Sequence, residues 1–187
     1  MHWDVDLFYS INGLAGHWPW LDEFMRLMSR PGTYFIPGLF ALVYWYYKKG
    51  RQAVVLALVL AALIGLADVT GNGVKQLIAR PRPCQVLTGV KKITGCGRAY
   101  GFPSNHAVNS AAAAMFFQLI YPKAGLVIWP IVALLGFNRV YVGGHYLTDV
   151  LGGWLFGVIN AWLVVRFARS RRWIKFRQES CNKDDTS

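Results

Sequence analysis

From Ala53 to Ala79 the chain reads as one apolar run in which Asp68 and Lys75 carry the only charges. At 1.5 Å per residue a helix of that length reaches about 40 Å, enough to cross a hydrocarbon core of about 30 Å with a turn to spare. Three further apolar segments follow, Ser104 to Tyr121, Gly125 to Val142 and Tyr146 to Ala168. Gly32 to Tyr47 is shorter and holds Pro37, so it spans only by borrowing flanking residues or tilting little. Five spans are expected on this count. The stretch Trp3 to Ser29 mixes Asp4, Asp6, Asp22 and Glu23 with Phe8, Trp18, Trp20 and Phe24, which suits an amphipathic interfacial helix or hairpin at least as well as a sixth span. The predicted fold is all-α, an integral membrane bundle of five to six helices in a single domain over 1–187. Residues 1–31 form the amphipathic or first helix, 32–168 the transmembrane core and 169–187 a basic cytoplasmic tail.

Composition agrees, with 55% hydrophobic, 15% aromatic and only 16% charged residues in 187. The net charge of +11 raises nucleic acid as a partner. That is excluded because the basic residues sit in short loops and at the C-terminus, with no basic face on a soluble fold. No basic n-region precedes a short apolar run, so no cleavable signal peptide is expected. If the spans alternate, Lys48, Lys49, Arg51, Lys123, Arg166, Arg169, Arg171, Arg172, Lys175, Arg177 and Lys183 share one side, which the positive-inside rule makes cytoplasmic. The loop Arg80 to Phe102 and the turn at Gly143-Gly144 then lie on the other face.

The same alternation puts Lys75 at the end of one segment, His106 at the start of the next, Arg139 near the end of the following one and His145 at the start of the last. All four emerge on one membrane face, where ionisable groups are costly and usually functional. Asp68, Asn72 and Lys75 are spaced i, i+4, i+7 and share an inward helix face. Asp68 either positions Lys75 through a hydrogen-bond chain or packs against a polar neighbour on another helix. His145 and Asp149 are i, i+4, so a helical backbone would let the carboxylate accept from the imidazole, fix its tautomer and leave the other nitrogen as a nucleophile. A metal held by His106, His145 and Asp149 is the rival reading. Lys75, Arg82 and Arg139 would repel a cation and attract an oxyanion, so the charge balance favours phosphate.

Lys75, six intervening residues and Arg82-Pro83; Pro103-Ser104-Asn105-His106; and Arg139, five residues, His145, three residues and Asp149 together resemble the three-part motif of the type 2 phosphatidic acid phosphatase superfamily. That superfamily also includes bacterial acid phosphatases and vanadium haloperoxidases. The match runs from about residue 68 to 155, and the flanking spans fit the membrane branch. Asn105 stands where glycine is common and Asn138 where serine commonly precedes the arginine, departures that bear on substrate preference and rate more than on reaction type.

The resemblance implies that His145 attacks phosphorus, Asp149 orients it, and His106 protonates the leaving oxygen and then activates water. It implies that Lys75, Arg82 and Arg139, joined by Ser104 and the amides around Asn105, hold the nonbridging oxygens, with no metal and no cofactor required. Arg80 lies outside the matched positions and is expected to make a supporting or headgroup contact, or simply to be solvated together with Lys91, Lys92 and Arg98. Cys84 and Cys96 share the exported loop and are expected to form a disulfide, worth about 3 kcal/mol for a loop of roughly 13 residues. Cys181, in the tail, should stay reduced. Gly153 and Gly157 are expected to make a small-x-x-x-small helix contact, with Ala111 to Ala114 doing similar service.

The expected activity is phosphatase action on a phosphomonoester or diphosphate of a membrane lipid, at the outer face of a bacterial inner membrane. The resemblance leaves lipid A 1-phosphate, undecaprenyl diphosphate, phosphatidylglycerol phosphate and phosphatidic acid open, with the first two favoured. A nonhydrolytic phospholipid or anion carrier using the same cations only to bind is the alternative, and a vanadate-dependent haloperoxidase is disfavoured by the small lipid-embedded build.

Overall fold

The computed structural model describes residues 2–97 and 100–173. Arg98 and the tail residues Lys175, Arg177, Cys181 and Lys183 lie outside the described residues. Seven helices of ten residues or more are present among those described, with no strand: α1 His2–Asn12, α2 Pro19–Met28, α3 Phe35–Lys49, α4 Arg51–Ile78, α6 Asn105–Ile120, α7 Gly125–Tyr141 and α8 Leu147–Ser170. A single-turn helix, α5 Pro83–Val86, lies in the loop between α4 and α6.

The expected count of five to six is exceeded because the N-terminal stretch folds as two helices. Gly13, Gly16 at φ +83° and Pro19 separate α1 from α2. At 11 and 10 residues, neither is long enough to cross a bilayer. By length and composition three segments among the described residues qualify as spans, Arg51–Val86, Pro122–Tyr141 and Leu147–Ser170, rather than the five expected. α3 and α6 stop at 15 and 16 residues, α3 between a short 3-10 turn and Gly50, α6 between Pro103 and Pro122. Large apolar side chains such as Phe40, Leu58, Val69, Leu77, Leu126 and Leu155 face outward, as suits helices solvated by lipid.

One face of α4 is buried along its length, from Ala53 through Leu56, Val59, Leu63, Ala67 and Gly71 to Lys75. Its apolar part packs against Val108, Ala112 and Phe116 of α6 and Ala161, Val165 and Ala168 of α8. Lys75 therefore ends an inward stripe, which carries its ammonium to the end of the core.

The α6–α8 contact is the tightest in the bundle. A methyl group on Gly157 would stand 2.2 Å from the Val108 carbonyl oxygen and 2.8 Å from the Ala112 nitrogen, and one on Gly153 would stand 2.9 Å from the Ser104 oxygen. The two backbones touch there, as the spacing of Gly153, Gly157 and the Ala111 to Ala114 run anticipates.

Candidate active site

The α6–α8 contact brings the start of α6 against the start of α8, and the Ser104 amide donates to the Asp149 carbonyl at 3.0 Å. No side chain caps the start of α6, so its first amides point outward with the positive end of the helix behind them. Ser104 is fully buried, and its Oγ has no hydrogen-bond partner in the protein. His106, the second residue of α6, is exposed and lies in the field of Arg139, His145, Arg82 and Lys75.

His145 sits in the turn before α8, made possible by Gly143 at φ +85°. Its amide and that of Gly144 both donate to the Arg139 carbonyl at 3.2 Å, which ties the turn to the end of α7. The imidazole is 4% exposed. Arg82 Nη1 stands 3.1 Å from its Nε2. A guanidinium has no acceptor, so Nε2 must be the accepting nitrogen and the proton resides on Nδ1. Nδ1 faces Asp149 Oδ2 at 3.6 Å, longer than a hydrogen bond. The sequence expectation of a direct bond depended on a helical backbone through both residues, and α8 begins only at Leu147. Burial pushes the imidazole down to about 4, against the opposing pull of Asp149 and with Arg82 adding to the depression.

Asp149 is fully buried, with Oδ2 accepting the Tyr146 amide at 3.0 Å and Oδ1 accepting Arg80 Nη1 at 2.8 Å. Lys75 Nζ donates to the Pro103 carbonyl at 2.8 Å. It is not joined to Asp68 by a chain: Asp68 accepts from Asn109 at 2.9 Å and Asn72 from Asn105 at 3.1 Å, so the polar stripe of α4 makes separate rungs to α6. Arg139, 7% exposed, donates to Ser29 Oγ at 2.6 Å and to Asn138 Oδ1. Cys84 and Cys96 are joined in a disulfide that closes the loop carrying Arg82. Among the described residues no three His, Cys, Asp or Glu side chains gather as a metal-holding group.

Two contributions go beyond what the sequence specified. Arg80, for which a supporting or headgroup contact and plain solvation were both open, bridges two fully buried carboxylates, Asp149 and Asp4 Oδ2 at 2.7 Å, and stacks on the Tyr146 ring with its Cζ 4.1 Å from the centroid. Asp4, from α1, also accepts the Thr148 hydroxyl at 2.5 Å and amide at 3.2 Å. Burial would raise its carboxyl, but Arg80 and Thr148 outweigh it and hold Asp4 below the usual carboxylate range. The second is α2, which reaches Arg139 through Ser29 and holds Asn138 Nδ2 on the Met25 carbonyl at 2.7 Å. The only sequence signal was four carboxylates in an otherwise apolar N-terminal stretch.

Comparison with known proteins bears on this arrangement. The profile of the PAP2 superfamily matches residues 52–173. The chain is similar to a lipid A 4'-phosphatase of Porphyromonas gingivalis, 31% identical over 89% of this chain and 74% of the relative. It is also similar to an undecaprenyl-diphosphatase, BcrC, of Bacillus subtilis, 30% identical over 88% and 84%. Among solved structures, Aquifex aeolicus LpxE superposes with a TM-score of 0.68 at 23% identity, covering 87% of this chain and 94% of that one, a likeness of fold.

Proposed function

Since the chain belongs to the PAP2 superfamily and is a membrane lipid phosphatase, we propose that it removes a phosphoryl group from lipid A or undecaprenyl diphosphate by way of a phosphohistidine on His145. Phosphatidylglycerol phosphate and phosphatidic acid are lesser substrates on this reading. For lipid A the 1-phosphate is the expected site, and the relative from Porphyromonas gingivalis adds the 4' position. The observation that carries the mechanism is the lone pair of His145 Nε2, held toward Arg82 while Asp149 stands behind Nδ1.

An entering phosphoryl group takes the place between Nε2 and Arg82, and the guanidinium passes from the imidazole to a nonbridging oxygen. Nε2 then forms a bond to phosphorus as the bond to the leaving oxygen breaks, and His106 gives that oxygen its proton. In the second half His106 takes a proton from water, the oxygen bonds to phosphorus, and the phosphorus–nitrogen bond breaks to release phosphate. Lys75, Arg82, Arg139, Ser104 Oγ and the first amides of α6 meet the charge on the transferring group. This route asks for neither metal nor cofactor. The site faces the periplasm or outside of a bacterial inner membrane, a placement supported by the basic loops at the opposite ends of the helices and by the disulfide on the motif side.

The test is phosphate release in chelator from a panel of these lipids by the native protein and by His145→Ala, with acid-labile phosphohistidine trapped from labelled substrate. Native turnover that vanishes in the variant supports the reading. Lipid binding without hydrolysis in both proteins would instead make the chain a carrier, and turnover surviving in His145→Ala would remove the nucleophile.

A further inference from the structure

Beside the phosphoryl centre lies a cavity of about 500 Å³. Its walls are Arg26, Ser29 and Arg30 at the end of α2, the loop segment from Ile93 to Gly95, and Arg139 of α7. Among the described residues, Arg139 is the one member of the phosphoryl-binding set that reaches it. Hydrolysis at one phosphorus makes no use of Arg26 or Arg30.

Three guanidiniums around one cavity repel each other, and no carboxylate among the described residues lines it. Arg26 is paired with Glu23 on its exposed side and donates from Nε to the Ile93 carbonyl at 3.3 Å, which holds the α2 side of the cavity against the loop. Arg139 is steered to the same place by Ser29 Oγ and Asn138 Oδ1. Planar guanidinium forks match phosphate oxygens, and the Ser29 and Thr94 hydroxyls add neutral hydrogen-bonding groups. The volume falls in the range of small-molecule sites, roughly 300–1,000 Å³, and exceeds what a single phosphate fills.

We propose that this cavity is an accessory anion subsite that holds a second phosphoryl group of the same headgroup while the first is hydrolysed. Arg26 and Arg30 recognise the second group, and Arg139 touches both where the two are joined as a diphosphate. The favoured substrates are then lipids with two phosphoryl groups in one headgroup, whether joined as a diphosphate or carried at separate positions on a sugar, over simple monophosphates. This rests on the lipid phosphatase reading above.

The experiment compares kcat/KM for lipid A bisphosphate, undecaprenyl diphosphate and phosphatidic acid in the native protein, in Arg26→Gln/Arg30→Gln, and in Lys123→Gln, which removes a charge from the opposite end of the bundle. The native protein should prefer a two-phosphoryl lipid. In the double variant the ratio of that lipid to phosphatidic acid should drop on the order of tenfold to a hundredfold, mainly through KM, as expected for lost charge-assisted hydrogen bonds. In Lys123→Gln the ratio should hold. A drop confined to lipid A assigns the cavity to a sugar-borne phosphate, and one confined to undecaprenyl diphosphate assigns it to the adjoining phosphoryl group. An unchanged ratio, or equal losses on all three lipids, overturns the subsite. Failure of the native protein to release phosphate from any of them overturns the underlying phosphatase reading, a separate and distinguishable result.

Discussion

The α6–α8 seam and the docking of α1 and α2 both position the phosphoryl centre, but by opposite means. The seam is glycine and alanine against backbone, with Gly153 and Gly157 leaving no room for a single added carbon. The N-terminal helices are held in part by polar groups: buried Asp4 on Arg80 and Thr148, buried Asn12 on the Tyr141 and Lys91 carbonyls at 2.8 and 2.9 Å, and half-buried Ser29 beside Asn138 and Arg139. Volume sets the first interface, whereas the second adds buried hydrogen bonds to the apolar packing of Phe8, Ala15 and Met25. A defect in the seam should therefore act on fold and chemistry together, whereas a defect at the N-terminal contacts should act mainly on the chemistry they end upon.

Gly157→Ala is the harshest test of that contrast. Its methyl group meets the Val108 carbonyl at 2.2 Å, so α6 and α8 must part at a cost of about 1–3 kcal/mol or more. With Ser104 then displaced from Asp149, phosphate release should fall about a hundredfold alongside a lower melting temperature in detergent. Retained stability and activity would break the account of the seam.

Arg80→Gln should come next, with kcat falling about tenfold to a hundredfold through misplacement of Asp149, a smaller loss of melting temperature than in Gly157→Ala, and partial rescue by Arg80→Lys. Equal damage to KM and stability would make Arg80 merely structural.

Solution pH sharpens the contrast further. His145 stays neutral down to about pH 4, so the acid limb of kcat/KM attributable to it should lie near 4 rather than near its ordinary value of 6.5. The sign for stability follows, because between those values the unfolded imidazole binds a proton that the folded one refuses. Stability should be full above about 6.5 and decline as pH falls toward 4. Melting curves of the native protein and His145→Asn would separate this contribution. A limb near 6.5 would mean that the imidazole is not buried as described.

The smallest effect belongs to Ala79, which ends α4 at φ +50°, a conformation costing a non-glycine residue roughly 1 kcal/mol. Ala79→Gly should relieve that cost and raise the melting temperature slightly, with little change in turnover.

Regular spacing made half of this legible. The stripe from Ala53 to Lys75, the Gly153 and Gly157 pair and the helix-end placement of His106, Arg139 and His145 all follow from helical period and span alternation, and the structure brings these groups together. Cys84 and Cys96 were legible because they share one loop between α4 and α6. Asp4 and Ser29 were not, and the partners of Arg80 were not. Each acts through contacts with residues more than 65 positions away, such as Ser29 with Arg139, and a lone polar residue has no period to reveal its partner. The N-terminal stretch was legible only as a choice between an interfacial helix or hairpin and a sixth span, and the break at Gly13, Gly16 and Pro19 decides for two short helices.

The clasp around Arg82 reaches beyond geometry. Its amide donates to Gln85 Oε1 at 3.0 Å, Gln85 Nε2 donates to the Gly97 carbonyl at 3.0 Å, and the neighbouring Cys96 is bonded back to Cys84. Under the proposed orientation, a newly made chain whose thiols are still reduced carries this arginine on a slack tether. Full hydrolytic power would then be gained only once the loop reaches an oxidising compartment and the bond closes.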